Sequence, residues 1–216
     1  MQFQDQLKKY FEAHPVTSII LILNTLFALL VLLSGGFTIN NLVNWGGLVP
    51  ILVTEQNEYH RLVLAMFLHG GIFHFLMNSY VLYIIGGQLE RIIGPVKFSI
   101  LYVISGLFAS IFVVLFGEPN VVTIGASGAI YGVMGGLFML TLLKKSWFRP
   151  QSINWIRQLI LINLVLTFII PNISVWGHLG GLIGGFLLFY FLTPKKPYFV
   201  VQYEIKNGII DAEQNF

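Results

Sequence analysis

The sequence predicts an all-α, polytopic membrane protein built as a bundle of six transmembrane helices. Three observations predict it. Of the 216 residues, 56% are hydrophobic and only 10% charged, with a mean hydropathy of +0.80, whereas soluble domains carry about 25% charged residues. The charges collect between long apolar runs. Several of those runs approach the roughly 20 residues that a spanning helix needs.

Each element follows from the apolar pattern. The segments run over Val16–Gly35, Leu62–Leu89, Phe98–Phe116, Ile124–Leu143, Ile156–Ile170 and Val175–Leu192. The first lacks a small-residue cleavage site and is expected to be retained as a helix. The second is long enough to include a polar membrane-edge portion around His69–His74. The fifth is short for a span, and Pro171 ends it. Between the first two lies a long connection, Gly36 to Arg61, holding Trp45, Gly46, Gly47 and Pro50, as suits an element resting among lipid headgroups. After Pro194, apolar runs flank Asn207-Gly208, the signature of a hairpin. The expected organisation is a cytoplasmic segment over 1–15, a six-helix domain over 16–193, and a short cytoplasmic tail over 194–216.

Lys and Arg mark the cytoplasmic side of a membrane protein. Of the 12 basic residues, all but Arg61 fall before the first segment, between the second and third, between the fourth and fifth (Arg157 at the very start of the fifth), or after the sixth. Both termini are therefore expected in the cytoplasm. Because the basic residues form no single patch, the pI near 9.1 expresses topology, and no nucleic-acid partner is expected. The absence of cysteine excludes disulfides and thiolate metal sites.

Polar side chains are costly in hydrocarbon and invite a functional explanation. Ser127, in Gly125-x-Ser127-Gly128, opens the fourth segment, and His178, in His178-x-x-Gly181-x-x-x-Gly185, opens the sixth. The charge pattern puts both near the outer ends of their helices, at similar depth. On a helix His178, Gly181 and Gly185 share a face. Small residues there let the fourth helix approach through Gly128 and Gly132 until a hydroxyl and an imidazole can touch, as Ser–His catalysis requires. A serine among glycines also suits plain helix packing. Tyr131, four residues after Ser127, is placed to stack on His178 or simply to pack. His74 and Asn78, also four apart, share a face of the second helix and could serve an oxyanion together with the Ser127 N–H. The His69–His74 spacing does not match a helical zinc pair, and no metal or cofactor is expected. Glu90-Arg91 suits a solvated pair at the cytoplasmic edge.

These features together resemble the rhomboid family of intramembrane serine proteases. The resemblance rests on His74-x-x-x-Asn78, on Gly125-x-Ser127-Gly128 with Tyr131, and on His178-x-x-Gly181-x-x-x-Gly185. Six segments and a long first loop accompany them, over roughly residues 16–193. It implies Ser127 as nucleophile, His178 as general base and acid, and His74, Asn78 and the Ser127 N–H as the oxyanion site, with Tyr131 supporting His178. It implies a bundle in the lipid bilayer of a bacterial-type cell membrane, opening to the non-cytoplasmic side and cutting transmembrane segments of single-pass or other membrane proteins. The family's Trp-Arg pair in the first loop is His60-Arg61 in this chain. The short fifth helix and the loop Pro171–Ser174 are the expected gate. A catalytically silent client-binding protein would be expected to lack the serine or histidine, and a small transporter to show an inverted repeat.

Overall fold

The protein, seen as a computed structural model, is described over residues 2–206. Its helices are α1 (Gln2–Ala13), α2 (Pro15–Gly35), α3 (Ile39–Asn44), α4 (Pro50–Thr54), α5 (Arg61–Leu64), α6 (Ile72–Val81), α7 (Gly87–Ile93) and α8 (Pro95–Phe116). They continue with α9 (Ser127–Leu143), α10 (Pro150–Ile169), α11 (Val175–Leu192) and α12 (Tyr198–Lys206). A π-helical stretch, Leu82–Gly86, joins α6 and α7 into one apolar span, Ile72–Ile93. With α2, α8, α10 and α11 this makes five helices long and apolar enough to cross a membrane.

The remaining apolar helix, α9, has 17 residues. It is enclosed by the others, with Ala129 to Leu137 buried without interruption, as befits a helix apolar on all sides. The outer faces of the surrounding helices present exposed Ile22, Leu29, Phe73, Leu115, Phe168 and Phe191. Lipid, not water, satisfies such a surface. The molecule is a multi-pass helical membrane protein.

Lipid tails are as apolar as leucine, so close contact rather than the hydrophobic effect holds such helices together. Glycines supply it here. A Cβ on Gly181 would overlap the Gly128 carbonyl, and one on Gly185 the Gly132 carbonyl. On the other side of α11, Cβ atoms on Gly180 and Gly184 would come within 2.6 Å of Phe112 and Phe108 of α8. The expected approach of α9 and α11 through Gly128, Gly132, Gly181 and Gly185 is therefore present.

Four details differ from the sequence reading. The second span begins at Ile72 rather than Leu62, because residues 61–67 fold into α5 and a 3₁₀ turn that return the chain from the first loop. Helix α10 begins at Pro150 rather than Ile156 and is 20 residues long. Proline suits the first helical position, and the polar side chains of Gln151, Ser152, Asn154 and Arg157 let these turns emerge from the apolar zone.

The stretch expected as the first strand of a hairpin is instead helix α12. Pro197 precedes it and accepts from the Val200 and Val201 N–H groups. Arg91 lies 5.3 Å from the centre of the Phe199 ring. Docking on the bundle thus overrides the alternating pattern, and Asn207-Gly208 lie outside the described residues.

The fourth concerns Glu90, which is buried rather than solvated, with 1% of its surface exposed. Its carboxylate accepts from the N–H groups of Val16 and Thr17, each at 2.8 Å, and from the Thr17 hydroxyl at 2.7 Å. It therefore caps the first turn of α2 from a distant part of the chain, where free N–H groups and the helix dipole favour an anion.

Helices α1 and α12 meet the same end of the bundle. The Tyr10 hydroxyl donates to the Tyr83 carbonyl at 2.7 Å, and Tyr198 packs against Gly94. At the other end the first loop is held by Arg61, which donates to the carbonyls of Val43 and Gly47 at 2.6 and 2.8 Å and pairs with Glu58. An antiparallel bridge between Leu48 and Thr123 then ties this loop to the approach to α9.

Candidate active site

Ser127 is placed by three local features. The Gly125 N–H donates to the Ala65 carbonyl at 2.9 Å, and Gly125 has φ +125°, a conformation that glycine alone adopts readily. The chain then turns through Ala126, and Ser127 becomes the first residue of α9. The first N–H groups of a helix have no intrahelical partner and carry its positive end.

His178 is set in the first turn of α11. The Ser174 side chain caps that helix by accepting from the Gly177 N–H at 3.2 Å, and the His178 N–H donates to the Ser174 carbonyl at 3.1 Å.

Both side chains face one cavity of about 30 Å³, lined also by Gly128, Gly177, Ser110 and Ser174. A polar cavity of that volume is large enough to admit water. Among the described residues Ser127 Oγ makes no side-chain hydrogen bond, and its bond to His178 is not formed in this geometry. Long catalytic contacts are common before substrate is bound.

The imidazole of His178 is 7% exposed. Its ring stacks on Tyr131, with centroids 3.9 Å apart and planes inclined by 16°. Its Nδ1 lies 2.9 Å from the Thr167 hydroxyl. Thr167 Oγ1 is also 2.9 Å from the Asn163 carbonyl, and the Tyr131 hydroxyl lies 2.7 Å from that carbonyl and 2.6 Å from Thr167 Oγ1. Thr167 and Asn163 had no place in the sequence reading. The available signal was a hydroxyl in the last turn of α10, level with the first turn of α11.

From the second span, His74 reaches the same place. A Cβ on Gly125 would lie 2.9 Å from both Cε1 and Nε2 of His74 and 3.5 Å from Ser127 Oγ. The imidazole edge and the Ser127 hydroxyl thus flank the Gly125 Cα. His74 Nδ1 accepts from the Gly70 N–H at 3.3 Å, which leaves the proton on Nε2, facing Gly125. Asn78 is nearly buried, and one of its amide N–H groups donates to the His74 carbonyl at 3.1 Å. It therefore holds the turn carrying His74, and no contact brings it to Ser127.

His69 packs edge-on against His74 and Phe75, with centroids 5.3 and 5.5 Å away. Burial, aided by the neighbouring His74, pushes its pKa down to about 3, so it is a neutral packing group.

The family model for the Rhomboid domain matches residues 56–195, which includes every residue of this constellation. The chain belongs to the rhomboid family. It is 29% identical over 194 residues to "Putative rhomboid protease YdcA" of Bacillus subtilis, covering 89% of this chain and 96% of that protein. It is 36% identical over 162 residues to "Rhomboid protease GluP" of the same organism, covering 74% of this chain and 31% of GluP. A plant relative, "Inactive RHOMBOID-like protein 8" of Arabidopsis thaliana, is 32% identical over 152 residues, 68% of this chain and 42% of its own length. This rhomboid spans nearly all of the first relative, but only 31–53% of the length of GluP and the plant relatives.

Proposed function

We propose that this rhomboid is an intramembrane serine endopeptidase that cleaves transmembrane segments near the outer membrane face with a Ser127–His178 dyad. The observation that carries this reading is the shared cavity. A serine at a helix N-terminus and a histidine stacked on tyrosine line the same small cavity, and a third side chain, His74, lies beside its lining residue Gly125.

In the proposed reaction His178 Nε2 takes the Ser127 proton as Oγ attacks the scissile carbonyl. The tetrahedral oxyanion is held by the Ser127 N–H and by Nε2–H of His74. Such donors act strongly where bulk water is excluded and are preorganised before charge develops. Asn78 lies one turn further along the same helix face, and in this reading its second amide N–H supplements the oxyanion site. His178 then gives its proton to the departing amine, leaving an acyl-enzyme that water hydrolyses with the same base.

An intact substrate helix hides its carbonyls in hydrogen bonds. Segments with small or helix-breaking residues near their outer end are therefore the expected substrates. The outer end of α10 and the loop Pro171–Ser174 form the entry gate in this reading. Cytoplasmic termini and an outward-facing site in a bacterial-type cell membrane complete it.

The deciding experiment incubates the purified protein with a single-pass membrane substrate. Wild type is expected to cut it, and Ser127→Ala and His178→Ala to lose at least about 10³-fold in rate, in line with removal of a nucleophile or its base. Cleavage that persists in Ser127→Ala would sink the mechanism.

A further inference from the structure

We infer that Thr167 of α10 is a positioning residue for His178, its hydroxyl oxygen accepting the Nδ1–H so that the Nε2 lone pair is left to receive the Ser127 proton. This rests on the dyad proposed above and supplies the partner that the dyad lacks. A base works from one ring nitrogen only, and the bond made by the other nitrogen decides which one carries the proton. In soluble serine proteases a buried aspartate makes that bond. Neither α9 nor α11 contains a carboxylate, and a charge at this depth would be costly.

The hydroxyls around Thr167 form a closed account of protons. Thr167 has one proton, and Oγ1 lies 2.9 Å from the Asn163 carbonyl four residues earlier. That is the local bond a threonine in a helix commonly makes. Its oxygen then has two lone pairs and two neighbours, the Tyr131 hydroxyl at 2.6 Å and His178 Nδ1 at 2.9 Å. The Tyr131 proton has a second acceptor in the Asn163 carbonyl at 2.7 Å. With Thr167 donating to the carbonyl, His178 must donate through Nδ1, and every group is satisfied without water. Thr167 is 2% exposed, so solvent does not compete. The opposite arrangement, Thr167 donating to Nδ1, would put the imidazole proton on Nε2, where it could not accept from serine.

The same network prepares for the charge that forms when His178 takes the proton. The imidazolium would then lie against the face of Tyr131, a favourable site for a cation, while its Nδ1–H stays bound to a neutral oxygen. The arrangement also divides the machinery among three helices: nucleophile on α9, base on α11 and the residue that orients the base on α10. A displacement of the outer end of α10 would therefore release the imidazole.

Two measurements test this. In wild-type protein labelled with ¹⁵N-histidine, the His178 resonances at mildly alkaline pH should report a protonated Nδ1 and an unprotonated Nε2; the reverse tautomer overturns the inference without any variant. In cleavage assays, Thr167→Val should lower kcat by about 10–100-fold with KM nearly unchanged, the range found when partners that orient functional imidazoles are removed. Thr167→Ser, which keeps the hydroxyl, should recover most of that loss. Wild-type kcat in Thr167→Val, with Ser127→Ala inactive, would remove Thr167 and leave the dyad standing. Equal losses in the Val and Ser variants would reduce its role to packing. Cleavage by Ser127→Ala would overturn the dyad and this inference together.

Discussion

At the scale of single residues, His69 couples the site's surroundings to pH. It is 1% exposed and packed edge-on against His74 and Phe75, so burial favours its neutral form. Its pKa in the fold is about 3, against an ordinary value near 6.5 in an unfolded chain. Above about pH 6.5 the two states bind the same number of protons at this residue. Between there and the folded value the unfolded chain takes up a proton that the folded chain refuses, so stability is lost as pH falls. The slope approaches about 1.4 kcal/mol per pH unit for one proton. Thermal unfolding in detergent should therefore move to lower temperature as pH falls below about 6.5, and more shallowly in His69→Phe; equal slopes would clear His69 of this role. Ser127, His178, Tyr131, His74 and Asn78 could be picked out from the sequence because polar groups stand out in apolar segments and their helical spacing is fixed. Thr167 and Glu90 could not. A threonine in an apolar helix has the look of a packing residue, and its partner lies on the next helix. The three donors of Glu90 come from α2, more than seventy residues away, and only folding brings them together.

At the scale of elements, the glycines of α9 and α11 fix the distance between Ser127 and His178, the proposed nucleophile and base. The Gly181 Cα faces the Gly128 carbonyl so closely that any side chain there must push the helices apart. Backbone cannot yield as a flexible side chain can, and overpacking of this kind costs about 1–3 kcal/mol. Gly181→Ala should therefore lower the unfolding temperature and reduce cleavage at least about tenfold, because a displacement of about 1 Å can cost a hundredfold in rate. A variant with wild-type cleavage would show that this crossing does not set the geometry of the dyad. This contact was visible in the repeat of small residues, since a small residue every four positions marks one helix face. The ends of elements were less visible. Helix α10 continues six residues beyond the apolar run, because backbone hydrogen bonding persists past the hydrophobic boundary. Helix α12 replaced an expected strand because Tyr198 and Phe199 pack on Gly94 and Arg91, contacts that its local pattern does not contain.

At the scale of the whole molecule, the question is which end faces the cytoplasm. Helices α1 and α12 meet the α7 end, with Lys8, Lys9, Arg91, Lys195 and Lys196 carried on or beside them. The opposite end has one basic residue, Arg61, whose side chain is buried, bound to two loop carbonyls and paired with Glu58. It is thus a structural pin whose charge is balanced in the fold. The charge asymmetry that orients membrane proteins is the ground for expecting α1 and α12 in the cytoplasm. Ser127 and the exposed Glu118 belong to the other end. The chain contains no cysteine, so single cysteines can be introduced without background. In intact cells a membrane-impermeant maleimide should label Glu118→Cys at once, and should reach Lys8→Cys and Lys195→Cys only after permeabilisation. The reverse pattern would turn the Ser127 cavity toward the cytoplasm and move the predicted cleavage position to the inner end of the substrate helix.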